Sequence, residues 1–270
     1  MNQISISNIA WDPSLDEKVA QKLFSMGIRC IDIAPGKYFQ NFKETTDKQI
    51  SIVRKIWEDR GFSIIGMQSL LYGTKGLNLF AEREIQQRML EHLDHVCRIG
   101  SILGATKLVF GSPKNRDRTG LNDILVEQIA LQFFYQLGEI AKKNEVVICL
   151  EPNPSCYGAN FLTGTWETYS FVSKLNHPNI KLQFDSGAFF INRESVEIIG
   201  QVKDLIGHVH ISEPNLSALG TADVKHQLLG RELNEFVPGL PRTIEVLTNR
   251  SENTLDDIVR SVNIAKCNYS

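Results

Sequence analysis

Four side chains of the metal-binding type stand at or near the ends of four successive apolar runs. V-V-I-C-L stops at Glu151, I-K-L-Q-F stops at Asp185, I-G-H-V-H-I carries His210 close to its end, and R-T-I runs into Glu245. The separations are 34, 25 and 35 positions. They straddle the ~31 residues per unit expected when about 250 residues are divided among eight βα units. Three carboxylates and an imidazole gathered at one point repel unless a cation sits among them. The set suits one divalent ion, Mn²⁺, Mg²⁺, Co²⁺ or Zn²⁺, with positions left open for substrate oxygens.

Each residue also has an ordinary explanation. Glu151, before Pro152, has the form of a helix cap, and Asp185, before Ser186-Gly187, that of a turn aspartate. Alternation in H-V-H sends His208 and His210 the same way, one as ligand and one as its hydrogen-bonded neighbour; His210, nearer the strand end, is the expected ligand. Glu245, between Ile244 and Val246, resists such a reading, because a carboxylate in an apolar strand needs a partner.

The elements that must position these groups alternate. Strands are expected over 4–9, 30–33, 64–67, 107–110, 146–150, 180–184, 206–211 and 243–246. Helices are expected over 14–26, 47–60, 82–103, 121–143, 165–175, 194–202, 224–235 and 254–265. Ser14 with Glu17, Asp47, Thr165 with Glu167, and Thr254 read as helix starts; Gly27, Gly61 and Gly104 read as helix ends. Strict βα alternation implies a parallel sheet under helices, and eight units imply closure into one (β/α)₈ TIM barrel over 1–270. The rival, an open doubly wound sheet, lacks its glycine-rich loop, since the first strand is followed by N-I-A-W-D-P.

The 270 residues carry a formal net charge of −2 and no basic run, which speaks against a nucleic-acid partner. Five cysteines, odd in number and without a CxxC pair, suggest neither a disulfide framework nor a thiolate zinc site. No apolar run is long enough for a bilayer and the start M-N-Q-I-S-I-S does not read as a signal peptide, so a cytoplasmic location is expected.

The segments L-E-P-N, Q-F-D-S-G, H-V-H-I-S-E and T-I-E-V resemble those of the xylose-isomerase-like barrels, a family that includes ketose 3-epimerases, hydroxypyruvate isomerases, inosose dehydratases and, more distantly, endonuclease IV. I-S-N-I-A-W-D, D-I-A-P and L-V-F-G-S-P are similar to family members described as sugar phosphate isomerases/epimerases. The resemblance implies that Glu151, Asp185, His210 and Glu245 hold the metal. It also implies that Glu151 and Glu245 act as acid and base on a small-molecule sugar or sugar phosphate, and that the chain forms a homodimer or homotetramer. S-E-P-N echoes a glutamate-x-asparagine pattern of the epimerases, implying a substrate contact at Glu213. Two positions depart from the pattern: Ala188 stands where many members have histidine, and Leu216 where the epimerases have arginine.

Further substrate contacts are expected from Trp11, Gln68, Asn153, Tyr157 and His208, with Asn160 on a neighbouring loop. Lys114, Arg116 and Arg118 read as a solvated basic loop, and His226 as a capping or supporting group. A dehydratase would use the same metal and base. An endonuclease IV-like phosphodiesterase would need further histidines on the early strands, which end in Trp11, Asp32, Gln68 and Gly111.

Overall fold

The computed structural model describes residues 3–248 and 253–270. Eight strands pair in parallel, each with the next, and the last returns to the first: β1 (Ile4–Ser7), β2 (Cys30–Ile33), β3 (Ser63–Met67), β4 (Lys107–Phe110), β5 (Val147–Leu150), β6 (Ile180–Asp185), β7 (Ile206–Ile211) and β8 (Arg242–Ile244). Helices α1 (Asp16–Ser25), α2 (Asp47–Asp59), α3 (Arg83–Leu103), α4 (Asp123–Lys143), α5 (Thr165–Leu175), α6 (Ser186–Ile191), α7 (Ile198–Val202), α8 (His226–Phe236) and α9 (Thr254–Tyr269) connect and cover them. This is the expected closed (β/α)₈ barrel, and among the described residues no helix is long and apolar enough to cross a membrane.

Alternation along the strands sorts the side chains into two layers. Ile4, Ile6, Ile31 and Ile33 join the apolar layer shared with the helices, where Trp57 of α2 packs edge-on against Trp11 and Phe62. The intervening Ser5, Ser7, Asp32, Gln183, His208, His210 and Thr243 are also buried. Branched apolar residues usually fill a barrel; here small hydroxyls, an amide and charged groups are sealed within it. Two register shifts interrupt the ladders, one between Ile31 and Asp32 on β2 against β3, the other between Leu182 and Gln183 on β6 against β7.

Several local expectations are revised. The first strand ends at Ser7, whose hydroxyl accepts from Ile9 N–H and opens a 3₁₀ turn over Asn8–Ala10. Asp12, rather than Ser14 with Glu17, caps the turn before α1, and Thr46 with Gln49 forms the capping box of α2, leaving Asp47 as its first residue. Thr165 and Thr254 are likewise first helical residues, and Glu167 reaches back to the N–H groups of Leu162 and Thr163. Gly27, Gly61 and Gly104 take the expected left-handed conformation after α1, α2 and α3. The short α6 was not expected; Asp185 caps it by accepting from Ala188 N–H at 2.6 Å. Glu245 lies one residue past the end of β8.

Candidate metal centre

Strands β5 to β8 end side by side, and their register places His210 opposite both Asp185 and Thr243. Glu151, Asp185, His210 and Glu245 each offer a ligand atom, and these four atoms all lie within 4.8 Å of one another. His210 Nδ1 is 3.4 Å from Glu151 Oε1 and 3.2 Å from Glu245 Oε2. Glu151 Oε2 accepts from the Asn153 amide at 3.2 Å, whereas its Oε1 is buried without a hydrogen-bond partner. Gly111 leaves room beside it: a Cβ there would stand 2.0 Å from Glu151 Oε2, and the carboxylate would have to shift. Gln68 donates to Glu245 Oε1 at 2.5 Å, and Ser212 donates to Asp185 Oδ2 at 2.6 Å.

The four groups act strongly on one another. Burial, then the Glu151 and Glu245 charges, push the Asp185 carboxyl up to about 7, against the pull of His210 and Ser212. Burial opposes a charged imidazole at His210, yet Glu245, Asp32 and Glu151 outweigh it and hold the ring well above its ordinary value. Burial likewise opposes ionisation of Glu245, but His210 and Gln68 draw its carboxyl below the usual range. With one imidazole facing three carboxylates, a divalent cation would offset the excess negative charge, and all four donors are oxygen or imidazole nitrogen. The donor set and the unpartnered Glu151 oxygen therefore fit a metal ion.

A cavity of about 360 Å³ opens over the cluster. Glu151, Asp185 and Glu245 line it together with Gln68, Asn153 and Tyr157, while Leu71, Tyr72, Ala188 and Leu216 supply an apolar side. The two glutamates keep 12% and 11% of their side chains exposed and His210 keeps none, so the carboxylates are the members a ligand reaches. The Tyr157 hydroxyl accepts from Asn215 N–H at 2.7 Å, joining the loops after β5 and β7 at the mouth. Asn215 and Leu216 both have positive φ, an uncommon pair for residues other than glycine.

Three expected substrate contacts are placed elsewhere. Trp11 is buried, packs against Trp57 and donates its indole N–H to Asp16 at 2.7 Å. His208 is bonded to Asp32 inside the barrel. Glu213 turns away from the cavity and accepts from the N–H groups of Gly220, Thr221 and Ala222, with His226 Nε2 at 2.9 Å from its Oε1. Its role is to fold the loop after β7. Asn160 ties the loop after β4 by bonding Asp117, Thr119 and Arg118.

The basic loop is also revised, because Arg116 is fully buried and donates to the Glu151 carbonyl and to Asn153 Oδ1 at 2.6 Å. Lys114 is exposed and Arg118 pairs with Asp123. Sequence reasoning missed Asp32, Arg116 and Ser212 as supports of the cluster. The available signal was charge: an aspartate in C-I-D-I, like Glu245, needs a partner.

The profile of the xylose isomerase-like TIM barrels matches residues 20–254. A D-psicose 3-epimerase from Clostridium cellulolyticum H10, solved with D-tagatose, superposes with a TM-score of 0.79 at 16% identity, covering 99% of this chain and 98% of that one. A 3-keto-D-glucoside 4-epimerase from E. coli gives 0.76 at 14% identity over 99% and 100% of the two chains. An AP endonuclease of family 2 from Brucella melitensis gives 0.75 at 13% over 96% and 97%. No protein of curated function matches the sequence. At these identities the structural likeness is one of fold, and it agrees with the profile: the chain belongs to the xylose isomerase-like TIM-barrel family.

Proposed function

We propose that the chain is a divalent-metal-dependent isomerase or epimerase of a sugar or sugar phosphate, acting by proton transfer next to a carbonyl. The observation that carries this reading is the convergence of four donor atoms within 4.8 Å beneath a cavity that reaches Glu151 and Glu245. The fold shared with a D-psicose 3-epimerase and a 3-keto-D-glucoside 4-epimerase supports it. Glu151, Asp185, His210 and Glu245 would hold the ion, Mn²⁺ first among candidates. When bound, it supplies a positive centre that stabilises the charge developing on the carbonyl and neighbouring hydroxyl oxygens.

The chain's own groups do the rest. One glutamate removes the proton from the carbon beside the carbonyl, and the C–H electron pair becomes the double bond of an enediolate. The other glutamate returns a proton. Delivery to the opposite face of the same carbon epimerises; delivery to the neighbouring carbon isomerises, with the hydroxyl proton passing to the former carbonyl oxygen as the new carbonyl forms. Gln68, Asn153 and Tyr157, which line the cavity, would bind hydroxyl groups, and Arg116 holds Asn153 from behind. An inosose-type dehydratase would share the proton abstraction and then expel a hydroxyl, which product analysis separates from the first reading.

The test is to incubate Mn²⁺-loaded protein with ketoses, sugar phosphates, hydroxypyruvate and inososes in D₂O and to follow deuterium by NMR. Exchange at a carbon next to a carbonyl, lost on chelation and in Glu151→Gln, is expected. Undiminished exchange in both Glu151→Gln and Glu245→Gln would refute the proton-transfer roles.

A further inference from the structure

Asp32 is fully buried inside the barrel, and the proton transfer above makes no use of it. Its Oδ2 accepts from His208 Nε2 at 2.7 Å and lies 3.8 Å from His210 Nε2. That Nε2 is buried without a hydrogen-bond partner, and so is Asp32 Oδ1. The other ring nitrogen of His210, Nδ1, faces Glu151 and Glu245. One imidazole thus turns one nitrogen to the ligand cluster and the other to a sealed carboxylate.

The backbone is shaped around this arrangement. One of the two register shifts leaves Asp32 opposite Gly66, and a Cβ at Gly66 would stand 2.3 Å from Asp32 Oδ2. The other leaves His208 opposite Gln183. With its amide turned to satisfy both neighbours, Gln183 donates to the His208 carbonyl at 3.3 Å and accepts from His210 N–H at 3.2 Å. Such irregularities re-aim side chains at barrel rims and beside active sites. Here both fall on the pair that backs the same imidazole.

An imidazole that offers Nδ1 to a cation carries its proton on Nε2, and a carboxylate beside Nε2 favours that tautomer and fixes the ring. We propose that Asp32, steadied by His208, is a positioning residue that presents His210 Nδ1 to the divalent ion. The proposal rests on the metal reading of the four-residue cluster and extends it one layer inward. The rival use of these atoms is a second ion among Asp32, His208 and His210, whose donors also lie within 4.8 Å. Neither Asp32 nor His208 lines the cavity, and the 2.7 Å contact already pairs the two, which favours the hydrogen bond.

The test is a Co²⁺ titration of metal-free protein, read as a dissociation constant, a stoichiometry and a visible d–d spectrum. Circular dichroism in chelator keeps loss of fold apart from loss of metal. Asp32→Asn is expected to weaken Co²⁺ by about 10–100-fold and to shift the visible bands. Gly66→Ala, which leaves Asp32 chemically whole but displaces it, is expected to do the same. His208→Gln, which keeps a donor nitrogen toward Asp32, stays within a few-fold of the parent. Parental affinity and spectrum in both Asp32→Asn and Gly66→Ala overturn the proposal, as does a second Co²⁺ equivalent that Asp32→Asn abolishes. Failure of the parent chain itself to take up Co²⁺ overturns the metal reading, a result distinct from a loss confined to the variants.

Discussion

At the residue scale the two cavity-facing glutamates differ in how they are held. Glu245 is gripped by Gln68, whereas Glu151 has one oxygen bonded to Asn153 and the other, 3.4 Å from His210 Nδ1, without a hydrogen bond. Replacing either by glutamine removes a base while keeping the shape, so exchange in D₂O is expected to fall by about 10²–10⁴-fold. Gly111→Ala tests the same site sterically: the added methyl must displace the Glu151 carboxylate, and Co²⁺ affinity should drop although no ligand has been changed. The cluster was legible in the sequence because each of its four side chains stands at or beside the end of an apolar run, on four successive strands. Asp32 was not singled out, because its partner lies 176 positions away and a register shift leaves no local mark in the sequence. Trp11 and His208 were misplaced for a related reason: residue type says that a group wants a partner, not which side of the barrel wall supplies it.

At the element scale the loop between β7 and α8 is organised by one buried carboxylate. Burial opposes the charge on Glu213, but His226 and the N–H groups of Ala222 and Gly220 outweigh it and hold the carboxyl below its ordinary value. A depressed folded-state value means stabilisation that is present above the unfolded value of 4.5 and is lost as pH falls through the folded one. Glu213→Gln should therefore cost about 2 kcal/mol at neutral pH, from hydrogen bonds to a charged group. The difference in thermal unfolding between parent and variant should shrink as the pH is taken below that of an ordinary glutamate; a difference independent of pH would mean that the charge is not what holds the loop. Strand and helix identity was legible because period-two and helical spacing persist over whole elements. Helix starts were less so: Thr46 displaces Asp47 as the cap of α2 by a single position, a choice settled by the reciprocal bonds with Gln49. The helix α6 was hidden because S-G-A-F-F-I is short, and its cap is the same Asp185 that reads as a ligand.

For the whole molecule, the barrel carries its charge cluster at one end of a polar interior, and an ion that binds only the folded chain stabilises it by mass action. At a hundredfold excess over its dissociation constant, Mn²⁺ should add about 2.7 kcal/mol. In a chain of this size that raises Tm by roughly 5–10 °C, at about 2–4 °C per kcal/mol. Calorimetry with and without chelator reads the shift, and Asp185→Asn should reduce it. An unchanged Tm at saturating Mn²⁺ would mean that the folded chain has no preference for the ion.

Closure in chain order has a consequence for synthesis. β1 finds its second neighbour only in β8, where Arg242 N–H bonds the Gln3 carbonyl. At about 5–20 residues per second, one edge of the first strand waits on the order of tens of seconds before its partner leaves the ribosome. During that interval an unpaired apolar edge is open to other nascent chains. A fragment ending before Arg242 is expected to pellet where the full chain does not. The distance along the chain between the first strand and the last thus sets how long that edge must wait for its partner.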